Sequence, residues 1–371
     1  MSTPPKINNP AAKMLKVLVA PLDWGLGHAT RCIPIIKGLI NQKCQVIVAA
    51  DGAQKALLHA EFPFLTFVEL PGYRVRYGKN RALTFLRLMA SIPKILIRIK
   101  RENGWLRRFA DRERPDLVIS DNRYGLYLPG TVTIFITHQL SIRTPFGKVA
   151  DRLLQRINYS AIGRFSVCWV PDMAGEDGLA GELSHPKRMP PVPTRYIGWL
   201  SRMQIVPAPS TKDFDVLVLL SGPEPQRTIL ERIIIEQVAS SDCKMVLVRG
   251  LPGGGGRSLA APRGVVVYDH LPAGELGRFM LRSGVVLSRP GYSTVMDLAR
   301  VGKKAIFVPT PGQTEQEYLG EYLAGKGLGI CMQQHAFSLK AALMQAREIG
   351  DRPGTGNEQM KSEIGAMLET V

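Results

Sequence analysis

The chain has 371 residues, 45% of them hydrophobic and 21% charged, a balance that suits about two globular domains and excludes a disordered chain, a collagen-like repeat and a coiled coil. Lys and Arg number 48 against 31 Asp and Glu, a formal net charge of +17, which points to an anionic partner such as nucleic acid, a membrane surface or a phosphorylated substrate. Five cysteines (Cys32, Cys44, Cys168, Cys243, Cys331) lie far apart with no CxxC pair, so neither a zinc knuckle nor a disulfide framework is expected. The N-terminus lacks an apolar stretch able to act as a signal peptide, and no window approaches the ~18 apolar residues of a membrane span. A cytoplasmic protein is expected, with any membrane contact peripheral.

In chain order, short apolar runs at 16–22, 45–50, 117–121 and 131–138 read as buried parallel strands, alternating with helices that begin near His28, Asp51, Arg81 and Phe146. Residues 185–212 hold six prolines, which resist helix and central strand and suit an interdomain joint. Beyond it the alternation restarts, with strands at 215–221, 244–249, 265–268, 285–288 and 305–309 and helices from about 224, 272, 292, 314 and 338. Two α/β domains are predicted, 1–198 and 199–371, each Rossmann-like and facing a central cleft where strands end and ligands bind. The glycine-rich stretch at 251–258 reads as a loop near the cleft rim, mobile or able to hold a phosphate.

Several loops at predicted strand ends carry chemistry. DWGLGHAT, 23–30, lets the backbone approach a ligand at Gly25 and Gly27 and then enters a helix whose N-terminus favours an anion. The third glycine of a dinucleotide fingerprint is missing, which argues against a nicotinamide cofactor. His28 is either a general base or a residue that fixes the turn, and Asp121, at the end of the fourth run, is either its orienting carboxylate or a turn aspartate. In LSRPGYSTVMDL, 287–298, the amides and hydroxyls of Ser293 and Thr294 can cradle a diphosphate and Asp297 can accept from a ribose diol, unless the segment is an ordinary capped helix. The polar group Gln313, Glu315, Gln316 and Glu317 suits sugar hydroxyls, although acidic first turns also satisfy the helix dipole.

Together these motifs resemble the GT-B fold glycosyltransferases of family 28, the group that includes the enzyme adding N-acetylglucosamine to a membrane-bound muramyl-pentapeptide lipid. The resemblance runs from about residue 16 to 345. It implies that GLGH at 25–28 is the glycine-rich first loop and that THQ, with His138 and Gln139, lies on the acceptor side. On the donor side it implies Arg202 for the diphosphate, Gly222 in the loop opening the second domain, Leu271 near the base, Gly291 with Ser293 and Thr294 at the helix start, and Asp297 in place of a ribose-binding Glu. Gln316 matches a glutamine that holds the donor sugar, while Glu317 stands where a second glutamine is common. The implied reaction is inverting transfer of a hexose or N-acetylhexosamine from a nucleotide sugar, with UDP the expected nucleotide, His28 as base and Asp121 as its orienter. The nucleotide sugar is a substrate, so no cofactor is expected. No Asp-x-Asp pair suited to a sugar-nucleotide metal is evident, so no metal is expected either. GLGHATRC also resembles the opening of UDP-sugar hydrolases of the same fold. A sugar-nucleotide 2-epimerase and a non-catalytic nucleotide-sugar-binding protein are further alternatives.

Between Tyr73 and Arg114 stand 13 basic residues and three acidic ones. Residues 81–101 space apolar side chains from Phe85 to Ile99 at helical intervals, with Arg87, Lys94, Arg98 and Arg101 opposite and Pro93 expected to kink the helix or start a second one. Such a helix can lie on an anionic membrane at the inner face of the cell membrane, bringing the enzyme to a lipid-linked acceptor, or simply present a solvated face. No aromatic stacking platform accompanies the charge, so nucleic acid is not an expected partner. The tail from 354 is expected, by the resemblance, to form a last helix that packs back on the first domain.

Overall fold

Continuous aliphatic runs such as VLVA and VLVL bury both faces of a strand, which a parallel sheet covered by helices on each side requires. A computed structural model describes residues 14–23, 25–73, 81–144, 146–204, 211–251, 261–354 and 358–371, with only the backbone described for 81–92. It contains two all-parallel sheets. The first comprises β1 (Lys16–Pro21), β2 (Gln45–Ala50), β3 (Thr66–Glu69), β4 (Leu117–Asp121), β5 (Val132–Ile136), β6 (Val167–Val170) and β7 (Thr194–Tyr196), in the order 3-2-1-4-5-6-7. The second comprises β8 (Phe214–Leu219), β9 (Met245–Val248), β10 (Val265–Tyr268), β11 (Ser283–Ser288), β12 (Ala305–Phe307) and β13 (Gly329–Cys331), in the order 10-9-8-11-12-13. Both sheets reverse direction beside their first strand, and such a switch point opens a crevice.

The covering helices are α1 (Leu26–Asn41), α2 (Gly52–Glu61), α3 (Arg81–Glu113), α4 (Lys148–Ile162), α5 (Gln226–Val238), α6 (Ala273–Arg282), α7 (Tyr292–Val301), α8 (Thr314–Gly325), α9 (Leu339–Ala346) and α10 (Glu358–Leu368). Asp51 caps α2 by accepting from Gly52 N at 2.7 Å. One apolar cluster runs from Val17 and Val19 of β1 through Ile33 and Ile36 of α1 to Val295 and Met296 of α7, and takes in Met360, Ile364 and Met367 of α10. The halves therefore share a core. α10 lies against α1 and β7, where Gln359 Nε2 donates to Tyr196 O at 2.7 Å and Glu363 pairs with Arg195 at 3.2 Å.

Several details depart from the sequence-based expectation. The proline-rich segment contributes β7, a three-residue strand at the sheet's edge, and Pro193 serves it through its carbonyl, which accepts from Cys168 N at 2.9 Å. Pro93 lies inside one continuous helix, α3, and begins no second one. Among the described residues, α3 is anchored through Leu106 and Phe109 beneath the first sheet, while Leu96 is 60% and Ile97 54% exposed. Glu102, one of the segment's three acids, is buried against Arg123 at 3.0 Å and accepts from the Tyr73 hydroxyl at 2.8 Å. The glycine-rich stretch at 251–258 lies outside the described residues beyond Leu251, as does the side-chain stripe from Phe85 to Ile92. No helix among the described residues is long and apolar enough to cross a membrane.

Gly302 ends α7 at φ 69°, and a Cβ there would meet the Arg352 carbonyl, whose own amide donates to Gly302 O at 2.8 Å. Gly302→Ala is expected to destabilise the fold by roughly 1–3 kcal/mol, since a non-glycine residue would carry left-handed strain. Equilibrium chemical denaturation measures the loss.

Candidate active site

Parallel pairing delivers the ends of β1 and β4 to one edge, with Pro21 opposite Asp121 in the register. Gly25, at φ 88°, turns the chain from β1 into α1 and sets His28 in the first turn of that helix. His28 Nδ1 then lies 3.2 Å from Asp121 Oδ2. The structure thus brings together the two residues read as base and orienter.

Arg31, one turn later on the same face of α1, is 2% exposed and completes the arrangement. Its Nε donates to Asp121 Oδ2 at 2.8 Å and a terminal nitrogen pairs with Oδ1, a two-pronged grip on the carboxylate. The other terminal nitrogen reaches His138 Nδ1 at 3.2 Å. His138 Nε2 in turn donates to Glu315 Oε1 at 2.8 Å, and Gln139 Nε2 donates to the other oxygen of the same carboxylate. Glu315 belongs to α8 of the second domain, so a relay of charged and polar groups crosses from one half to the other. The His138 ring stacks on Tyr292 of α7 at 4.2 Å.

A guanidinium only donates, so a ring nitrogen held by a guanidinium alone accepts. His138 therefore carries its proton on Nε2, toward Glu315. At His28, Nδ1 lies 2.9 Å from Arg31 as well as 3.2 Å from Asp121. Without a proton it accepts from Arg31; with one it donates to Asp121 and leaves Nε2 free as a base. Burial and then the Arg31 charge push the His28 imidazole below its ordinary pKa, against the opposing pull of Asp121. Burial alone would raise Asp121, but Arg31 and His28 outweigh it and hold its carboxyl at about 2. Burial likewise acts to raise Glu315, and His138, His28 and Arg31 reverse that, leaving it below the usual carboxylate range.

The predicted donor-side residues gather on the facing edge of the second sheet. Gly291 caps α7, and the Ser293 hydroxyl donates across the cleft to Gly27 O at 2.8 Å. A Cβ on Gly27 would sit 3.0 Å from that Ser293 oxygen, so the close approach of the halves leaves little room for a side chain there. Thr294 is half-buried in the first turn of α7. Asp297 is buried and occupied: it accepts from Ser201 Oγ at 2.7 Å and faces Arg202 Nε at 3.4 Å, and a ribose would have to share it. Burial raises the Asp297 pKa despite Arg202. Gly222, at φ 98°, turns the loop after β8, while Leu271 is buried in the shared core. Gln316 accepts from Thr310 N at 2.8 Å and Glu317 from Gly312 N at 3.0 Å, contacts that shape the loop entering α8.

Arg31 and Tyr292 escaped the sequence reading, and Glu315 was no more than one member of a polar group. The spacing of His28 and Arg31, three apart on a helix, was the available signal. The chain's Asp-x-Asp, Asp213 to Asp215, lies at the amino end of β8, away from the cleft, where Asp213 pairs with Arg282 and Asp215 accepts from Lys244 N at 2.8 Å.

Residues 273–367 match the glycosyltransferase family 28 C-terminal domain. The fold is GT-B. Solved structures agree over nearly the whole chain. A glycosyltransferase from Streptomyces nogalater is 17% identical with a TM-score of 0.58, covering 96% of this chain and 100% of its own. An Arabidopsis thaliana protein complexed with UDP-L-rhamnose is 13% identical with a TM-score of 0.61, over 96% and 94% of the two chains. MurG of Acinetobacter baumannii is 14% identical with a TM-score of 0.52, over 96% and 99%. No curated protein matches the chain in sequence.

The depressed His28 pKa has a definite consequence. The unfolded imidazole takes a proton near pH 6.5 whereas the folded one resists, so the unfolded state binds more protons below that pH. His28 thus lowers stability as pH falls through about 6.5, and histidine-selective NMR should find its folded titration below that value.

Proposed function

We propose that the protein is an inverting, metal-independent glycosyltransferase that moves a hexose or N-acetylhexosamine from a UDP-linked sugar to an acceptor hydroxyl. The observation that carries this reading is the His28–Asp121 pair, 3.2 Å apart, at a cleft edge that faces the start of α7 within 2.8 Å at Ser293. Single displacement needs a base for the acceptor and a stabiliser for the departing diphosphate. With a proton on Nδ1 held by Asp121, the Nε2 lone pair of His28 removes the acceptor proton as the hydroxyl attacks the anomeric carbon. Opposite it, the free N–H groups opening α7 and the guanidinium of Arg202 receive the developing charge. Fixed positive groups of this kind can do the work of a metal, and no cofactor enters the reaction. The nucleotide assignment is supported by the family 28 domain and by a neighbour of the same fold complexed with UDP-L-rhamnose.

His28→Ala is expected to lower turnover about 10²- to 10⁴-fold, measured as UDP release from a panel of UDP sugars with acceptor hydroxyls present; undiminished turnover removes the base. The same panel without acceptor tests the hydrolase alternative, which GLGHATRC favours: release at the full rate would replace transfer by hydrolysis.

For the acceptor, we propose a lipid-linked or cell-envelope glycan precursor met in the cytoplasm at the inner membrane face. Leu96 and Ile97 of α3 stand exposed among Lys94, Lys100 and Arg101. On α4 a second apolar stripe, Val149, Leu153 and Ile157, runs beside Lys148, Arg152 and Arg156. α4 supports the acceptor-side loop directly, since Asn158 Nδ2 donates to Gln139 O at 3.2 Å. Each basic residue near an anionic bilayer contributes ~1 kcal/mol. The protein should pellet with anionic liposomes at low salt and be released at high salt; free behaviour at low salt would sink the membrane role.

A further inference from the structure

Behind the cleft, at the opposite end of α7, lies a cavity of about 410 Å³, within the ~300–1,000 Å³ of small-molecule sites. Its walls come from both halves. Met173 and Leu179 of the loop after β6 and Trp199 of the connecting segment face Leu298 and Ala299 of α7, with Phe307, Leu323 and Leu328 completing the apolar lining. Four cations lie around it, Lys303, Lys304, Lys326 and Arg352, against one lining carboxylate, Asp177.

These cations are positioned by the fold, chiefly on carbonyls. Lys304 Nζ donates to Ile349 O at 2.6 Å, Arg352 to Lys326 O at 2.8 Å, and Lys326 to Glu176 O. Lys303 pairs with Asp351 at 2.8 Å, a carboxylate that also lies 3.7 Å from Lys212. A carbonyl leaves a cation's charge uncompensated, so the surroundings hold a net positive charge beside an apolar interior. Burial lowers the Lys303 pKa to about 8 in spite of Asp351. Water is a poor occupant for the apolar lining and a bare anion a poor one too. A molecule with both an apolar tail and an anionic head satisfies the two parts at once.

We infer that this cavity is a binding site for a single-chain anionic amphiphile, its alkyl tail lying between Trp199, Leu298 and Leu323 and its phosphate or carboxylate head among Lys303, Lys326 and Arg352. Because Met173, Leu179 and Trp199 belong to one half or the joint and α7 to the other, an occupant touches both sides of the hinge. The site is separate from the His28 cleft and does not depend on the reaction assigned to it.

Isothermal titration calorimetry of the full chain tests the site without reference to activity. Dodecyl phosphate is expected to bind at least tenfold tighter than octyl phosphate, since each buried methylene tightens binding by a factor of about 4, and at least tenfold tighter than dodecylammonium. Laurate against dodecyl phosphate distinguishes a carboxylate head from a phosphate one. Ala299→Phe, which fills the cavity, should abolish binding, and Lys326→Ala with Arg352→Ala should weaken dodecyl phosphate at least tenfold while leaving dodecylammonium unchanged. The wild-type ligand series stands even where a variant fails to fold. Absence of dodecyl phosphate binding, equal affinity for the ammonium compound, or full affinity in folded Ala299→Phe overturns the site.

Discussion

The guanidinium of Arg31 closed on the carboxylate of Asp121 is the contact around which the cleft is organised. An ionised carboxylate that is wholly buried needs a paired, hydrogen-bonded charge. Asp121 finds it one helical turn beyond the glycine loop, so the end of β4, the first turn of α1 and the loop after β5 are fixed relative to one another by a single planar group. His28 lies within reach of both partners, and its protonation is decided by them. Because the same guanidinium continues through His138 to Glu315, the chemistry of one half is sensitive to how closely the other half sits.

That relay explains why the fold was legible in the sequence and the site only in part. Long aliphatic strands such as β1, β4, β8 and β11 announce themselves, since burial on both faces leaves no alternation to misread. β3, β6, β7 and β13 are short or lie near prolines and glycines, and their place comes from neighbours rather than from their own residues. His28 and Asp121 stand at strand ends, where a parallel sheet lets position be inferred. Glu315 and His138 are 177 residues apart, and no local pattern reveals that they meet. Asp297 shows the converse: the motif nominates it for a ligand, while tertiary contact with Ser201 and Arg202 engages it within the protein.

The net charge of +17 also changes meaning once located. Arg31, Arg123, Arg227, Arg249 and Arg289 are buried, and most are matched internally to carboxylates. Among the described contacts Arg289 is instead held by the carbonyls of Gln226, Val308 and Pro309 and by Gln334, and burial lowers its pKa to about 9. Among the described residues, cations on α3, on α4 and at the rim of the rear cavity lie beside apolar surface. The proposals of a lipid-like partner rest on that company more than on the number of charges.

The return of α10 to the first sheet means that the polypeptide passes between the two halves twice, once near Gly198 to Gln204 and again ahead of α10. Two bodies tethered at two points keep one easy rotation, about the line through the tethers, and lose the others. Any opening of the cleft would thereby be confined to the motion of a door on two hinges.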